Sequence, residues 1–386
     1  MSHNHNLIYF DNAATGYPKP QRVKNAVLRA FDEYGGNPGR SGHILSSEAS
    51  KAVYRCREEV CALLRFDAPE RVVFTLNATH ALNMAIKGVA EKGDHIVISN
   101  LEHNSVYRPV FSLSSDPSNQ ISFSVFDAVS NNDDVITERF ISALREDTRL
   151  AVITHASNIC GKILPVKKMA DECHKRGIKI IVDASQTMGH VDIQFNEVNA
   201  DVICTAGHKG LYGPPGTGFA VFSKNIEPRA ILEGGNGLVS SLPDMGDNLP
   251  EKLEAGTVNT AGICGLCEGI MFIRERGICS IAEECGRIDR YVSDELNHLG
   301  AVVYSKFDKK TPITLFNIPG MSADLVAAFL DNNGICTRGG IHCAPLAHKA
   351  LFTGNNGAVR ASYGYANTMS EAYRFVSMIR ELTKNK

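Results

Sequence analysis

No stretch of these 386 residues is apolar for long enough to cross a bilayer, no long basic run occurs, and the formal net charge is only -2. These absences set aside a membrane-spanning protein and one whose main partner is nucleic acid or an anionic lipid surface, leaving a small molecule as the expected partner. The polar opening Met1-Ser-His-Asn-His-Asn6 lacks the basic and apolar regions of a secretory leader, so the cytoplasm is the expected compartment. Missing too is a second Cys-x-x-Cys to match Cys264-Gly-Leu-Cys267, or a histidine cluster beside it, and no metal site is expected. The eleven cysteines are scattered, and without export they are expected as reduced thiols, mostly packing residues.

With 44% hydrophobic residues and 33 glycines, the chain is long enough for one large domain and a smaller one, each with a core. Short apolar runs alternate with helical patterns, the signature of a parallel sheet wrapped by helices. The expected strands are Val72 to Leu76, His95 to Ser99, Leu150 to Thr154, Lys179 to Val182 and Asp201 to Thr205. Between the third and fourth, Pro165 to Gly177 reads as a crossover helix, with proline at its start, basic residues in its last turn and glycine beyond. A glycine-rich excursion spans Gly234 to Pro250. A helical region from Cys264 to Leu299 then leads into a second unit with strands at Ala301 to Tyr304 and Pro312 to Asn317 and a closing helix from Ser370 to Leu382.

Ligands in such sheets collect beyond the carboxyl ends of the strands, where Asn158, Asp183 and Lys209 fall. Lys209 lies 26 residues after Asp183. A lysine amine can form a Schiff base with an aldehyde cofactor, and a carboxylate on a neighbouring strand end can keep a pyridine nitrogen protonated, so the pair points to pyridoxal 5′-phosphate. Its phosphate needs donors, and Asn77-Ala78-Thr79 opens an amphipathic run with free backbone amides and a hydroxyl.

Eight segments in order carry a more specific signal: Tyr9-Phe-Asp-Asn-Ala-Ala14, Leu101-Glu-His103, Thr154-His-Ala-Ser-Asn158, Val182-Asp-Ala-Ser-Gln186, Gly207-His-Lys209, Glu254-Ala-Gly-Thr257, Arg338-Gly-Gly-Ile-His-Cys-Ala344 and Val359-Arg-Ala361. In these the chain resembles the class V aminotransferase superfamily, most closely its cysteine desulfurases and selenocysteine lyases, nearly end to end. The resemblance implies an α/β chain of fold-type I. Its large domain, residues 20–272, would carry a mainly parallel seven-stranded sheet flanked by helices. Residues 1–19 and 273–386 would form a smaller α+β domain carrying the cysteine segment.

Residue by residue, the resemblance implies that Lys209 tethers the cofactor and later shuttles protons while Asp183 pairs with the pyridinium. His103 would stack on the ring and act as an acid or base, or else merely cap the next helix. Gln186 would donate to the phenolic oxygen, and Ala78, Thr79 and His208 would serve the phosphate. Thr257 would reach the phosphate of a neighbouring subunit, which implies a homodimer. Relatives often carry serine at the position of Ala206, so Thr205 or Thr79 would have to supply the missing hydroxyl. Arg360 would fork onto a substrate carboxylate, with Asn158 bridging carboxylate and cofactor oxygen, Arg338 lining the same pocket and His43 near its entrance.

Cys343 separates this reading from simple transamination, which requires no thiol. Neighbouring His342 and Arg338 are expected to favour the thiolate, and Gly339 and Gly340 to permit a tight turn. The expected reaction takes L-cysteine to L-alanine, leaves a persulfide on Cys343 and passes the sulfur to an acceptor protein or thiol, in the manner of sulfur mobilisation for iron-sulfur clusters. Selenocysteine lyase activity on L-selenocysteine is the alternative; more distant ones are a noncatalytic cofactor-binding scaffold and another β-lyase. Cys160 has no role in this scheme beyond packing.

Overall fold

The computed structural model describes residues 7–39, 42–237 and 243–384. Arg40 and Ser41 of the Gly39 to His43 stretch, and residues 238–242 of the glycine-rich excursion, lie outside the described residues, as does the opening hexapeptide.

Among the described residues twelve strands run in chain order: β1 Ile8–Tyr9, β2 Val72–Thr75, β3 His95–Ser99, β4 Ser122–Phe126, β5 Thr148–Thr154, β6 Lys179–Asp183, β7 Val202–Ala206, β8 Gly218–Phe222, β9 Val302–Val303, β10 Ile313–Asn317, β11 Ile335–Cys336 and β12 Val359–Ser362. Seven of them form one sheet in the order β2-β8-β7-β6-β5-β3-β4, parallel except for β8, which pairs antiparallel with both β2 and β7. The five strands expected for the large unit and the two expected for the second are all present, with ends within two residues of the expected ones. Their interiors explain why. Ile180, Ile181 and Val182 of β6, like Ala151, Val152 and Ile153 of β5, are almost fully buried. Such strands, covered on both faces, read as short apolar, β-branched runs.

The crossover helix is Val166–His174, entered from Pro165 and followed by Gly177 at φ +67°. The long helical region breaks in two, Thr260–Arg276 and Ile278–His298, because Gly277 sits between them at φ +88°, a conformation a helix cannot propagate. A three-stranded antiparallel sheet, β12-β10-β9, and a parallel β1-β11 pair complete the strand inventory, and the closing helix is Met369–Lys384. Arg360 lies on β12 opposite Leu315 and bridges to Arg338 in the preceding segment. One cluster of buried side chains runs from β5, β6 and β7 through the Thr260–Arg276 and Ile278–His298 helices to β10 and β12. The two sheets are therefore tied by a shared apolar core.

Candidate active site

Of the six strands of the main sheet that point the same way, all but the edge strand β4 deliver chemistry at their carboxyl ends. Beyond β2 come Ala78 and Thr79; beyond β3, His103; beyond β5, Asn158; at and beyond β6, Asp183 and Gln186; beyond β7, His208 and Lys209. All of these line one cavity of about 180 Å³, whose far wall is Arg338, His342, Cys343 and Arg360. A larger cavity of about 580 Å³, between Tyr54, Arg57 and Glu254, contains none of the residues expected from the sequence. Two of its charged residues, the buried Arg57 and Glu254 side chains, are paired with each other at 2.7 Å.

Among the described residues the Lys209 amine has no hydrogen-bond or ion-pair partner, and burial pushes it down to about 8, against the opposing pull of Asp183. A substantial fraction is consequently uncharged and nucleophilic near neutral pH. Oδ1 of Asp183 accepts from the backbone N–H and hydroxyl of Ser185. His103 both lines the cavity and caps the helix Asn104–Ser115, since its Nδ1 accepts from the Ser105 N–H at 3.0 Å. In the neutral ring the hydrogen therefore resides on Nε2. Burial, aided by the Lys209 charge, lowers His103 to about 4. His208 is also lowered to about 4 by burial and contacts the Thr15 hydroxyl at 3.1 Å. Gln186 lines the cavity and donates to the Ala13 carbonyl at 3.0 Å.

The missing hydroxyl at Ala206 is not supplied by Thr205. That side chain points away from the cavity and donates to the Ala184 carbonyl at 3.4 Å. Thr79 does face the cavity, hydroxyl to hydroxyl with Ser105 at 2.7 Å, and Ser105 in turn contacts His103 Nδ1 at 2.8 Å. Ser105, which no pattern in the sequence singles out, thus joins the Thr79 hydroxyl to the imidazole.

Arg360 is 2% exposed, and its fork is engaged: Nη2 donates to Asp11 Oδ1 at 2.7 Å and Nη1 to the Asn158 carbonyl at 2.8 Å, leaving buried Nε without a partner. A substrate carboxylate arriving here must share the guanidinium with Asp11. Asn158 donates from Nδ2 to the His342 carbonyl at 2.9 Å, while its buried Oδ1 has no partner. A buried oxygen in this state can accept from a donor on a molecule bound in the cavity.

Cys343 is exposed and lines both this cavity and an outer groove with Lys87 and Arg108. His342 and Cys343 both adopt left-handed backbone, at φ +53° and +58°, a rare conformation for side chains other than glycine and one that clusters at functional sites. Gly340, at φ +103°, supplies the turn. The expected help from His342 is absent. Its ring is buried against His348, and burial beside Arg360 lowers it to about 3, so it is uncharged. Arg338, also in the cavity wall, is left as the nearby cation of that segment.

Two expected residues lie elsewhere. His43 is exposed and caps the helix Ile44–Leu64, and exposed Thr257 accepts from Asn37 at 3.2 Å beside a separate cavity that includes Leu76 and His80. Glu102, between Leu101 and His103, is buried; Oε1 accepts from Ser99 and from the Thr154 N–H while Oε2 has no partner, and burial pushes the carboxyl up to about 8.

The model of the aminotransferase class-V family matches residues 8–375. A probable cysteine desulfurase of Methanothermobacter thermautotrophicus is 33% identical over 97% of this chain and 94% of its own length. Its counterpart in Pyrococcus abyssi is 32% identical over 98% and 95%. The apo structure of a cysteine desulfurase from Thermococcus onnurineus NA1 superposes with a TM-score of 0.90 at 29% identity, covering 98% of this chain and 95% of that one.

Proposed function

Because the chain belongs to the class-V aminotransferase family, we propose that it is a pyridoxal 5′-phosphate-dependent cysteine desulfurase, taking L-cysteine to L-alanine and holding the sulfur on Cys343. The observation that carries this reading is an exposed thiol on strained backbone in the wall of the same cavity as Lys209, Asp183 and Arg360.

The residues present fit the cofactor. A partly uncharged, unpaired lysine stands opposite a carboxylate, the first amides of the helix Ala78–Val89 face the cavity with the Thr79 hydroxyl, and Asn158 keeps an orphaned oxygen. Lys209 would hold it covalently, Asp183 would face the ring nitrogen, and Thr79, Ser105 and His208 would surround the phosphate. Bound there, the cofactor supplies an electron sink for the pair released when the α-proton of an amino acid leaves. Arg360 and Arg338 fix the substrate carboxylate, and the Lys209 amine accepts and returns protons at the α carbon. The Cys343 thiolate attacks the substrate sulfur. The carbon–sulfur bond breaks with its electron pair left on carbon, which takes a proton to become the methyl group of alanine, and Cys343 retains a persulfide.

We extend the reading to a homodimer. His43 and Thr257 lie outside the cavity within one chain, yet their neighbours Ile44, Leu45 and Leu76 are large exposed hydrophobics suited to burial against a second copy. Residues 20–272 and the combination of 1–19 with 273–386 serve as the large and small domains. A reducing, cytoplasmic setting matches a nucleophile that acts only as a thiolate, and delivery to an acceptor protein in iron-sulfur cluster assembly matches its exposed position. Incubating the loaded protein with L-cysteine and with L-selenocysteine, and measuring alanine, chalcogen and the mass of the Cys343 peptide, tests the function. A 32 Da increment on Cys343 with stoichiometric alanine is expected. Loss of sulfide but not selenide release in Cys343→Ala would assign the lyase activity instead, and a spectral response without alanine would leave only a scaffold.

A further inference from the structure

Behind the cysteine segment runs a chain of side chains that begins at His342 in the cavity wall and leads away from it through His348 and Thr353. His342 Nε2 lies 3.0 Å from the Arg338 carbonyl, His342 Nδ1 lies 3.2 Å from His348 Nε2, and His348 Nδ1 lies 2.7 Å from the Thr353 hydroxyl. The two rings stack with 18° between their planes. His342, His348 and Thr353 are 5%, 3% and 6% exposed, so none exchanges its partner for water.

Along these contacts the hydrogens run one way, and the Ile341 carbonyl is a further acceptor beside the His348 ring. A carbonyl can only accept, so His342 Nε2 carries the hydrogen; in a neutral ring Nδ1 must then accept, so His348 Nε2 carries the next; His348 Nδ1 must therefore accept, and Thr353 donates to it. The Thr353 hydroxyl has one hydrogen, and the imidazole nitrogen at 2.7 Å is closer than the His348 carbonyl at 3.3 Å. Burial keeps both rings uncharged, near 3 for His342 and near 4 for His348. The order also explains how two successive residues, His342 and Cys343, persist in left-handed backbone. The side chain of the first is anchored at both ring nitrogens, while its carbonyl is held by Asn158 at 2.9 Å and that of Cys343 by the Asn104 N–H at 2.8 Å.

We propose that Thr353 and His348 are positioning residues, a one-way hydrogen-bond relay that acts through His342 to hold the Cys343 thiol at the cavity wall for sulfur transfer. The kinetic half of this statement rests on the desulfurase reading; the structural half does not. Thr353→Val keeps the shape and removes the terminal donor, and a flipped His348 tautomer cannot rescue it, because two acceptor nitrogens would then face each other across 3.2 Å.

The test compares cofactor-loaded wild type, Thr353→Val and Thr353→Ser. Hydrogen exchange of the amides in residues 338–344 should quicken about tenfold in the valine variant, the scale of one lost buried hydrogen bond, and return to wild type with serine. In a single turnover with L-cysteine, persulfide formation on Cys343 should slow by a similar factor in the valine variant only. The cofactor band should respond to L-cysteine with unchanged amplitude and rate. Unaltered exchange in the valine variant overturns the relay. Equal slowing of the cofactor band and of persulfide formation reduces it to general support of the fold and overturns the positioning role. If wild type forms no persulfide, the desulfurase reading fails while the exchange data still decide the relay.

Discussion

The uncharged amine of Lys209 has a kinetic consequence that can be read before any substrate is added. An ordinary lysine amine with its value at 10.5 is free in only roughly three molecules in ten thousand at pH 7. With Lys209 at about 8, roughly one molecule in ten carries the nucleophilic form, an advantage of about 300-fold over an exposed lysine. Cofactor-stripped protein mixed with pyridoxal 5′-phosphate, quenched with borohydride at timed intervals and mapped by peptide mass, reports how fast that amine captures the aldehyde. The initial rate on the Lys209 peptide should climb close to tenfold from pH 6 to pH 7 and level off just above pH 8, with Lys209 far ahead of the surface lysines. Asp183 favours the charged amine, so Asp183→Asn should move the plateau to lower pH. A rate that keeps the same slope through pH 9.5, or adducts spread evenly over surface lysines, would refute the argument that burial primes this residue.

Two further outcomes follow from the same site. Glu102 is held up at about 8 by burial, so the folded protein keeps it protonated while the unfolded chain ionises near its usual 4.5. Its burial therefore costs nothing below pH 4.5 and progressively more as pH rises to 8, up to about 5 kcal/mol at 1.36 kcal/mol per pH unit. Glu102→Gln, neutral at every pH, should be more stable than wild type in urea melts by about 5 kcal/mol at pH 8.5 and by only about 1.4 kcal/mol at pH 5.5; a variant less stable at pH 8.5 contradicts the assignment. Arg360→Lys exchanges a fork that serves Asp11 and the Asn158 carbonyl for a single ammonium. kcat/KM for L-cysteine should drop about 100-fold, chiefly through KM, when alanine formation is followed, and an unchanged KM would remove Arg360 from the carboxylate site.

The parts of this molecule legible in its sequence are those where a local pattern and a global requirement coincide. Strand β6 must be apolar on both faces and must end in a polar residue at the sheet edge, and Ile180-Ile-Val-Asp183 states both in four letters. Less legible are β4, whose Ser122-Phe-Ser-Val-Phe126 alternates on an exposed edge, and β8, which runs against its neighbours and opens with Gly218. Gly218 is there because a Cβ would meet the Asn77 backbone at 2.7 Å, a tertiary reason with no local trace. The partner of Arg360 is likewise hidden, since Asp11 stands 349 positions away and meets it only once β1, β11 and β12 are assembled.

His342 shows where inference from neighbours in sequence goes astray. Adjacent to Cys343, it reads as a cation able to lower the thiol. Adjacent residues on extended or turning backbone send their side chains in different directions, however, and here one points to solvent and the other into the protein. Once buried, an imidazole gives up its charge, and what remains useful is its fixed pattern of one donor and one acceptor. The contribution of His342 is therefore geometric: it holds a strained turn whose thiol faces the cavity, and the nearby positive charge has to come from Arg338. A substitution that restores charge but not directionality, such as His342→Lys, should for that reason fail to support sulfur transfer, whereas His342→Gln, whose amide offers a donor and an acceptor, should retain part of it. Persulfide yield on Cys343 in the two variants separates these roles, and a lysine variant that outperforms glutamine would return the residue to electrostatics.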